Sequence, residues 1–460
     1  MAKIQERSAG TMVVGKKSGR KALAARAISR RDFLKLSGAG LAGATLLGVA
    51  GCAGGEQGGG AVNLTFSLFS DRTGSVQQLV DEFNSRNESQ IQVTYREMPV
   101  DSGQHFDQLT TEFQAGGGDI DVIGGDVIWP AQFAANGWIV DLSGRFPEGE
   151  RNEFLPAPIQ ANTYQGRIYG VPWYTDAGML YYRRDLLEQS GFSDPPRTYD
   201  ELKDIARRVQ RDSGTENGFV FQGAEYEGGV VNALEYIWNS DGEVLDPNDP
   251  NRVVVDSPEA IRGLQMERSM VEDGIAPEAV TQYKEQESAT VFLNGDAVFM
   301  RNVPRMYALA SDPNESRIDP EQIGVAALPV AAEGLRSHSN LGGWNFFINA
   351  ASENQDAAWE FIQFMSAPEQ QKFRALNASV IPTRQGLLED REILEAVPVI
   401  DLGSEAIQST RPRPVSPYYS DMSLRMAKQF HASLQDNVSP EEAVRTLQEE
   451  LTAIVEQGRT

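Results

Sequence analysis

The chain has 460 residues, with 65 Asp and Glu against 41 Lys and Arg, three His and one Cys. A single cysteine excludes a disulfide framework, and at 40% hydrophobic composition the length can bury one large core or two medium ones. Ten of the basic residues but only Glu6 and Asp32 of the acids fall in residues 1–51, so the rest carries 31 basic against 63 acidic residues, a net charge of −32. A body this acidic repels phosphate backbones and no basic patch offsets it, which excludes nucleic acid as a partner.

Ser29-Arg30-Arg31-Asp32-Phe33-Leu34-Lys35 precedes a weakly hydrophobic run, residues 36–50, that is too short to span a bilayer and has no polar helical face. This arrangement resembles the twin-arginine export signal. Val49-Ala50-Gly51-Cys52 resembles the bacterial lipobox, in which the thiol takes a diacylglycerol, and the only cysteine of the chain stands at that point. Residues 1–51 are therefore expected to be a signal peptide, Cys52 the lipidated residue and 52–61 a Gly-rich tether. Gly38-Ala39-Gly40-Leu41-Ala42-Gly43 satisfies the dinucleotide pattern, but no strand precedes it and no acid follows at the required spacing.

Beyond the tether, Leu64, Phe66 and Leu68 alternate as in a strand, and Val76, Leu79, Val80 and Phe83 recur at helical spacing. A second strand at 91–95, a helix face of Phe106, Leu109 and Phe113, and a third strand at 120–123 repeat the alternation, which predicts a parallel sheet covered by helices. A strand at 179–182 follows, then a helix opened by Thr198-Tyr199-Asp200-Glu201, a capping box. Ser257-Pro258 opens another helix, Asn294-Gly295 closes one, and Pro368 and Pro440 begin helices in a mostly helical last quarter. About 400 residues exceed one core, and the absence of a second linker implies two lobes between which the chain crosses more than once.

Metal chemistry is poorly supplied: His105, His338 and His431 are far apart and read as isolated surface residues, so no metal and no cofactor are expected. Asp119 and Asp121 could form a glycosidase pair, but they flank a strand end where polar residues are common. Aromatic and planar polar groups are the better signal, because sugars offer flat C–H faces to rings and paired hydroxyls to carboxylate and guanidinium forks. Such groups recur in stretches that read as loops: Asp126 with Trp129, Trp173-Tyr174-Thr175-Asp176, Gly342-Gly343-Trp344, and Arg411-Pro412-Arg413-Pro414 followed by Tyr418-Tyr419.

Across residues 62–456 the sequence resembles the extracellular solute-binding proteins of ABC sugar importers, in particular the trehalose/maltose-binding branch. The resemblance rests on the run from Gly170 through Trp173-Tyr174-Thr175-Asp176 to Leu187, on Phe221-Gln222-Gly223 with Tyr226-Glu227-Gly228, on Leu341-Gly342-Gly343-Trp344 and on Pro412-Arg413-Pro414-Val415-Ser416-Pro417-Tyr418-Tyr419, in the family's order. It implies an α/β, two-lobed periplasmic-binding-protein-like fold, each lobe a sheet flanked by helices, with three hinge crossovers near Trp173, Asn302 and Phe347. The N-lobe would be 62–172 and 303–346, and the C-lobe 173–302 and 347–460. Carried over from the family, the ligand-binding residues are Asp126, Tyr174, Asp176, Trp344, Arg413 and Gly343, with Tyr174 and Trp344 stacking on the sugar. The function implied is capture of a disaccharide or short oligosaccharide, without catalysis, by a monomer held to the outer face of the cytoplasmic membrane through its lipid alone and serving ABC permease subunits.

Two departures stand out. The family's Arg-Asn-Trp-Pro stretch reads Arg301-Asn302-Val303-Pro304 here, and Ser70-Asp71-Arg72-Thr73-Gly74 does not align with the acid that relatives carry after the first strand. Two other readings remain: a ferric-iron receptor using Tyr181-Tyr182 and Tyr418-Tyr419, although neighbours in a strand point to opposite faces, and a secreted glycoside hydrolase.

Overall fold

A computed structural model describes residues 61–88 and 90–457, within one compact unit spanning 59–460. The export segment, Cys52 and the tether up to residue 60 lie outside the described residues. The alternation of Leu64, Phe66 and Leu68 does produce a strand, Val62–Phe69, and the helix Ser75–Arg86 turns Val76, Leu79, Val80 and Phe83 onto the same core. Ile91–Met98 and Val122–Asp126 then pair parallel to the first strand.

The sheet is nevertheless mixed. Ser339–Ile348 returns antiparallel to Val122–Asp126, Val171–Ala177 runs antiparallel along its other edge, and the two-residue strand Ile381–Pro382 closes that side. A chain arriving from a second lobe, rather than through a crossover helix on the same sheet, is free to enter in this direction. The second sheet has the order Ile323–Ala326, Met179–Arg183, Ala297–Asn302, Asn217–Val220. Beside it, the helices Glu227–Trp238, Pro258–Glu272, Tyr419–Leu434 and Pro440–Gln457 share a separate apolar cluster. The capping box forms as expected: Thr198 Oγ1 accepts from the Glu201 amide at 3.2 Å and the Glu201 carboxylate from the Thr198 amide at 3.3 Å.

Strand pairing puts the changes of sheet later than the expected points at Trp173, Asn302 and Phe347. Val171–Ala177 stays in the first sheet along its whole length, so the first passage is at Gly178, between Ala177 and Met179. Segment 303–322 does not turn back to the N-lobe, because Met306, Ala310 and Ile318 are buried in the second lobe's core and Ile323–Ala326 pairs with Met179–Arg183. The second passage is therefore 327–338. After Ile348 the helix Gln355–Met365 still buries Ala358, Phe361 and Ile362 with the first sheet, Ala375 and Ile381 reach the second core, and beyond Pro382 Ile393, Val399 and Ile407 join it.

The first two passages touch one buried ion pair. Arg301 donates to Glu235 through Nε at 2.7 Å and Nη2 at 2.6 Å, both side chains being nearly inaccessible to solvent. Glu235 also accepts from the Asn340 amide at 2.9 Å, and a Cβ on Gly178 would lie 2.1 Å from its carboxylate oxygen. Breaking a buried pair by removing one partner costs about 3–5 kcal/mol. Glu235→Ala should lose that much unfolding free energy in urea titrations followed by circular dichroism, and Gly178→Ala should also be destabilised because its methyl displaces the carboxylate. A Gly178→Ala protein as stable as its parent would show that the fit at the passage is not needed.

Candidate functional site

Of the residues singled out in the sequence as loop positions, Asp126, Tyr174, Asp176, Gly343 and Trp344 lie on strands, whereas Arg413 is in a loop after the short strand Thr410–Arg411. Ser339–Ile348 runs between Val122–Asp126 and Val171–Ala177, so Trp344 has Asp126 directly opposite on one side and Tyr174 on the other, while Gly342 faces Asp176. Directly paired residues share a sheet face, as do residues two apart along a strand. Asp126, Trp344, Tyr174 and Asp176 thus form one patch. Burial marks this face as open: all four are half-buried, whereas Trp173, Thr175 and Ala177, pointing the other way, are buried.

Trp344 is held from behind by an aromatic cluster. Its ring centroid lies 4.6 Å from Phe69 and 5.4 Å from Trp129, both edge-on, and 5.3 Å from His105. His105 is therefore not a surface residue. It is fully buried, neither ring nitrogen has a partner, and burial pulls its pKa down to about 4, so the ring is neutral at pH 7 and packs as an aromatic.

Gly343 acts through its backbone. With φ at 121° it occupies a region L side chains rarely adopt, and a Cβ there would lie 2.2 Å from the Tyr174 carbonyl oxygen. Its own carbonyl accepts from the Val127 amide at 3.2 Å. The glycine lets the two strands approach closely where Trp344 meets Tyr174.

Asp126 accepts from Ser102 Oγ at 2.8 Å and from the Ile128 amide at 3.3 Å, and lies 3.6 Å from Arg413. Burial raises its pKa, with Arg413 opposing. Arg413, expected to be ready for a ligand, is already engaged: Nη1 donates to Glu227 at 2.6 Å and Nη2 to the Leu341 carbonyl at 3.4 Å. Glu227 also accepts from Tyr419 Oη at 2.7 Å and from Ser423 Oγ. This network, with Glu227 as its hub, carries Asp126 of the first sheet across to helices of the second lobe. Sequence reading noticed Tyr226-Glu227-Gly228 as a stretch but gave Glu227 no role.

Asp71, the acid that aligned poorly, is structural. It accepts from the amides of Thr73 at 3.2 Å and Val76 at 2.9 Å, and pairs with Arg374 at 3.0 Å. Arg374 also donates to Ser75 and lies 4.7 Å over the Trp173 ring, so it braces the strand that carries Tyr174. Nothing in the sequence joined residues so far apart.

Asp176 differs from the others. Among the described residues it makes no hydrogen bond and no ion pair. Burial pushes its pKa up to about 7, against attraction from Arg305 and Arg301 and with repulsion from Asp126 adding to the rise. Of the competing acid sites, Asp121 is consumed by the Thr65 amide at 2.9 Å and Ser352 Oγ at 2.5 Å, and Asp119 is exposed. The tyrosine pairs are committed separately: Tyr181 donates to the Val303 carbonyl at 2.9 Å, and Tyr419 to Glu227.

A folded-state pKa raised from 3.8 to about 7 means that the native protein holds a proton the unfolded chain has released. This contribution to stability is full below about pH 4 and is lost as pH rises through 7. Asp176→Asn removes that dependence. The melting temperature of the variant relative to its parent should therefore rise between pH 4 and pH 8 in scanning calorimetry, and an unchanged difference would rule out a raised Asp176.

The family described as bacterial extracellular solute-binding protein matches residues 69–372. A "Probable ABC transporter-binding protein" of Deinococcus radiodurans is 33% identical over 410 residues, covering 86% of this chain and 95% of its own. A maltotriose-binding protein of Pyrococcus abyssi is 27% identical over 293 residues, 63% of this chain and 60% of its own. Among solved structures, maltose-bound MalE3 of T. maritima superposes with a TM-score of 0.76 at 38% identity, covering 85% of this chain and 99% of its own. These relatives are two-lobed binding proteins rather than enzymes, and the chain belongs to the bacterial extracellular solute-binding proteins.

Proposed function

We propose that this protein captures a disaccharide or short oligosaccharide, a trehalose- or maltose-like α-glucoside, between its lobes and delivers it to the permease of an ABC importer. The family supplies the solute-binding component of such importers for sugars and polyols. The observation that carries the finer reading is the row Asp126, Trp344, Tyr174 and Asp176 on the open face of three adjacent strands. One indole ring offers a stacking surface, one phenol and two carboxylates flank it, and one of those carboxylates has no partner of its own. The maltose bound to the T. maritima relative and the maltotriose named for the Pyrococcus protein agree with it.

In this reading Trp344 and Tyr174 stack on sugar rings and Asp176 accepts from sugar hydroxyls. Asp126 is oriented by Arg413 at the border of the site. The protein is a monomer, exported through Arg30 and Arg31 and anchored by a lipid on Cys52. Capture involves no bond making, so specificity rests on shape, stacking and hydrogen bonds.

Titration calorimetry of the purified protein against maltose, trehalose, maltotriose, sucrose, cellobiose and glucose tests the ligand. An α-linked glucoside should bind, and Trp344→Ala should weaken it by about 1 kcal/mol or more, roughly the stacking term plus lost contact area. Absence of binding across the panel would overturn the reading, and release of glucose from any of these sugars would replace it with the glycosidase alternative. Cys52→Ala should be exported yet absent from salt-washed membranes, since salt strips charge contacts but not acyl chains.

A further inference from the structure

Three of the four arginines that act on the candidate site are already spent. Arg301 is locked to Glu235 and Gln222, Arg374 to Asp71 and Ser75, and Arg413 to Glu227 and Asp126. Arg305 is exposed and, among the described residues, has neither a hydrogen bond nor an ion pair. Asp176 is its counterpart among the carboxylates, likewise without a partner.

Their placement follows from the second sheet. Ala297–Asn302 pairs antiparallel with Met179–Arg183, so that Asn302 lies opposite Met179. The turn that begins at Val303 thus leaves the sheet where the chain enters it from Asp176, Ala177 and Gly178. Tyr181 Oη fixes this turn by donating to the carbonyls of Val303 at 2.9 Å and Pro304 at 3.3 Å. Arg305 is consequently held beside the passage between lobes. Two residues of the first sheet feel its charge, Tyr174 and Asp176, and on Asp176 it is the strongest attraction present.

We propose that Arg305 is a specificity-determining residue. It and Asp176 grip the same sugar ring from opposite lobes. The inference rests on the sugar-binding reading above. Val303 is a small side chain, half-buried against the second lobe's core, and offers no stacking plane of its own. A guanidinium supplies donors in a rigid fork and a carboxylate supplies acceptors only, so together they match a pair of neighbouring hydroxyls, one accepting from Arg305 and the other donating to Asp176.

The charge balance narrows the ligand class. With the other arginines paired, one positive and one negative group remain free, and an uncharged polyhydroxy ligand satisfies both.

Affinities of the parent, Arg305→Ala and Arg305→Lys for maltose and trehalose, measured between pH 5.5 and 8.5, test this. Arg305→Ala should weaken the bound sugar on the order of tenfold while leaving the ligand-free melting temperature at pH 5.5 unchanged, because the side chain has no hydrogen-bond partner to lose and Asp176 is protonated there. Arg305→Lys should recover only part, since it keeps the charge and loses the fork. The pH at which affinity rises should move upward in Arg305→Ala and not in Arg305→Lys. The groups facing Asp176 are Asp126, Arg301, Arg305 and the phenols of Tyr174 and Tyr181, and only one of them is altered. A parent that binds sugar while Arg305→Ala stays within twofold of it at every pH would overturn the assignment alone. A parent that binds no sugar would overturn it together with the reading on which it rests.

Discussion

The ion pair between Arg301 and Glu235 is the constraint on which the arrangement of the two lobes depends. Taking two charges out of water is costly, and the cost is recovered only when geometry and hydrogen bonding are complete. Here they are: two parallel bonds join the side chains, Gln222 accepts from the remaining arm of Arg301, and the Asn340 amide donates to the carboxylate. Because Asn340 begins the long strand that carries Trp344, and Gly178 is shaped to the same carboxylate, one buried charge pair positions both chain segments that leave the ligand-facing strands. Ser339 Oγ, donating to the Gly178 carbonyl at 2.5 Å, ties those segments to each other.

The open face of the first sheet is held rigid in the same manner. Trp344 cannot rotate freely, since Phe69, Trp129 and His105 surround its buried edge, and Tyr174 stands on a strand braced by Arg374 over Trp173. Side chains fixed before a ligand arrives lose little entropy when it binds. The polar members are graded by commitment. Asp126 and Arg413 have internal partners, whereas the side chains of Asp176 and Arg305 have no hydrogen bond and no ion pair among the described residues.

Much of this was legible in the residues. The alternation of Leu64, Phe66 and Leu68, the helical spacing of Val76 to Phe83, the capping box at Thr198 and the proline starts at Pro368 and Pro440 are local signals, and local physics decided them. The patch residues Asp126, Tyr174, Asp176 and Trp344 were found because sugar-compatible chemistry recurs at them. The placement of Tyr174, Asp176 and Trp344 within strands is not legible, since Gly-Gly-Trp and Trp-Tyr-Thr-Asp lack the apolar alternation of a half-buried strand. A face turned toward a ligand cleft replaces apolar residues by polar ones, so the periodic signal fails where function is concentrated. The passages between sheets were misjudged for a related reason: whether 303–322 packs on one lobe or the other is settled by Met306, Ala310 and Ile318 finding a core far away in sequence. Asp71 with Arg374, and Glu227 with Arg413, are equally non-local pairs.

The seam between the lobes carries polar contacts beside the apolar one that Ile128 makes with the helical cluster of the second lobe. Ser420 Oγ donates to Gln132 Oε1 at 2.7 Å, and Arg413 approaches Asp126 at 3.6 Å, each joining an element of the first lobe to one of the second. Groups of this kind exchange protein partners for water at small net cost when surfaces part, unlike the apolar contacts within each lobe. Where such polar contacts dominate, the balance between two arrangements of paired lobes lies within reach of a few hydrogen bonds and one stacked ring. A ligand shifts such a balance only through contacts it makes better in one arrangement than in the other. Asp176 stands on the first sheet and Arg305 follows a strand of the second, so a molecule held by both would make contacts that depend on how the two sheets are arranged.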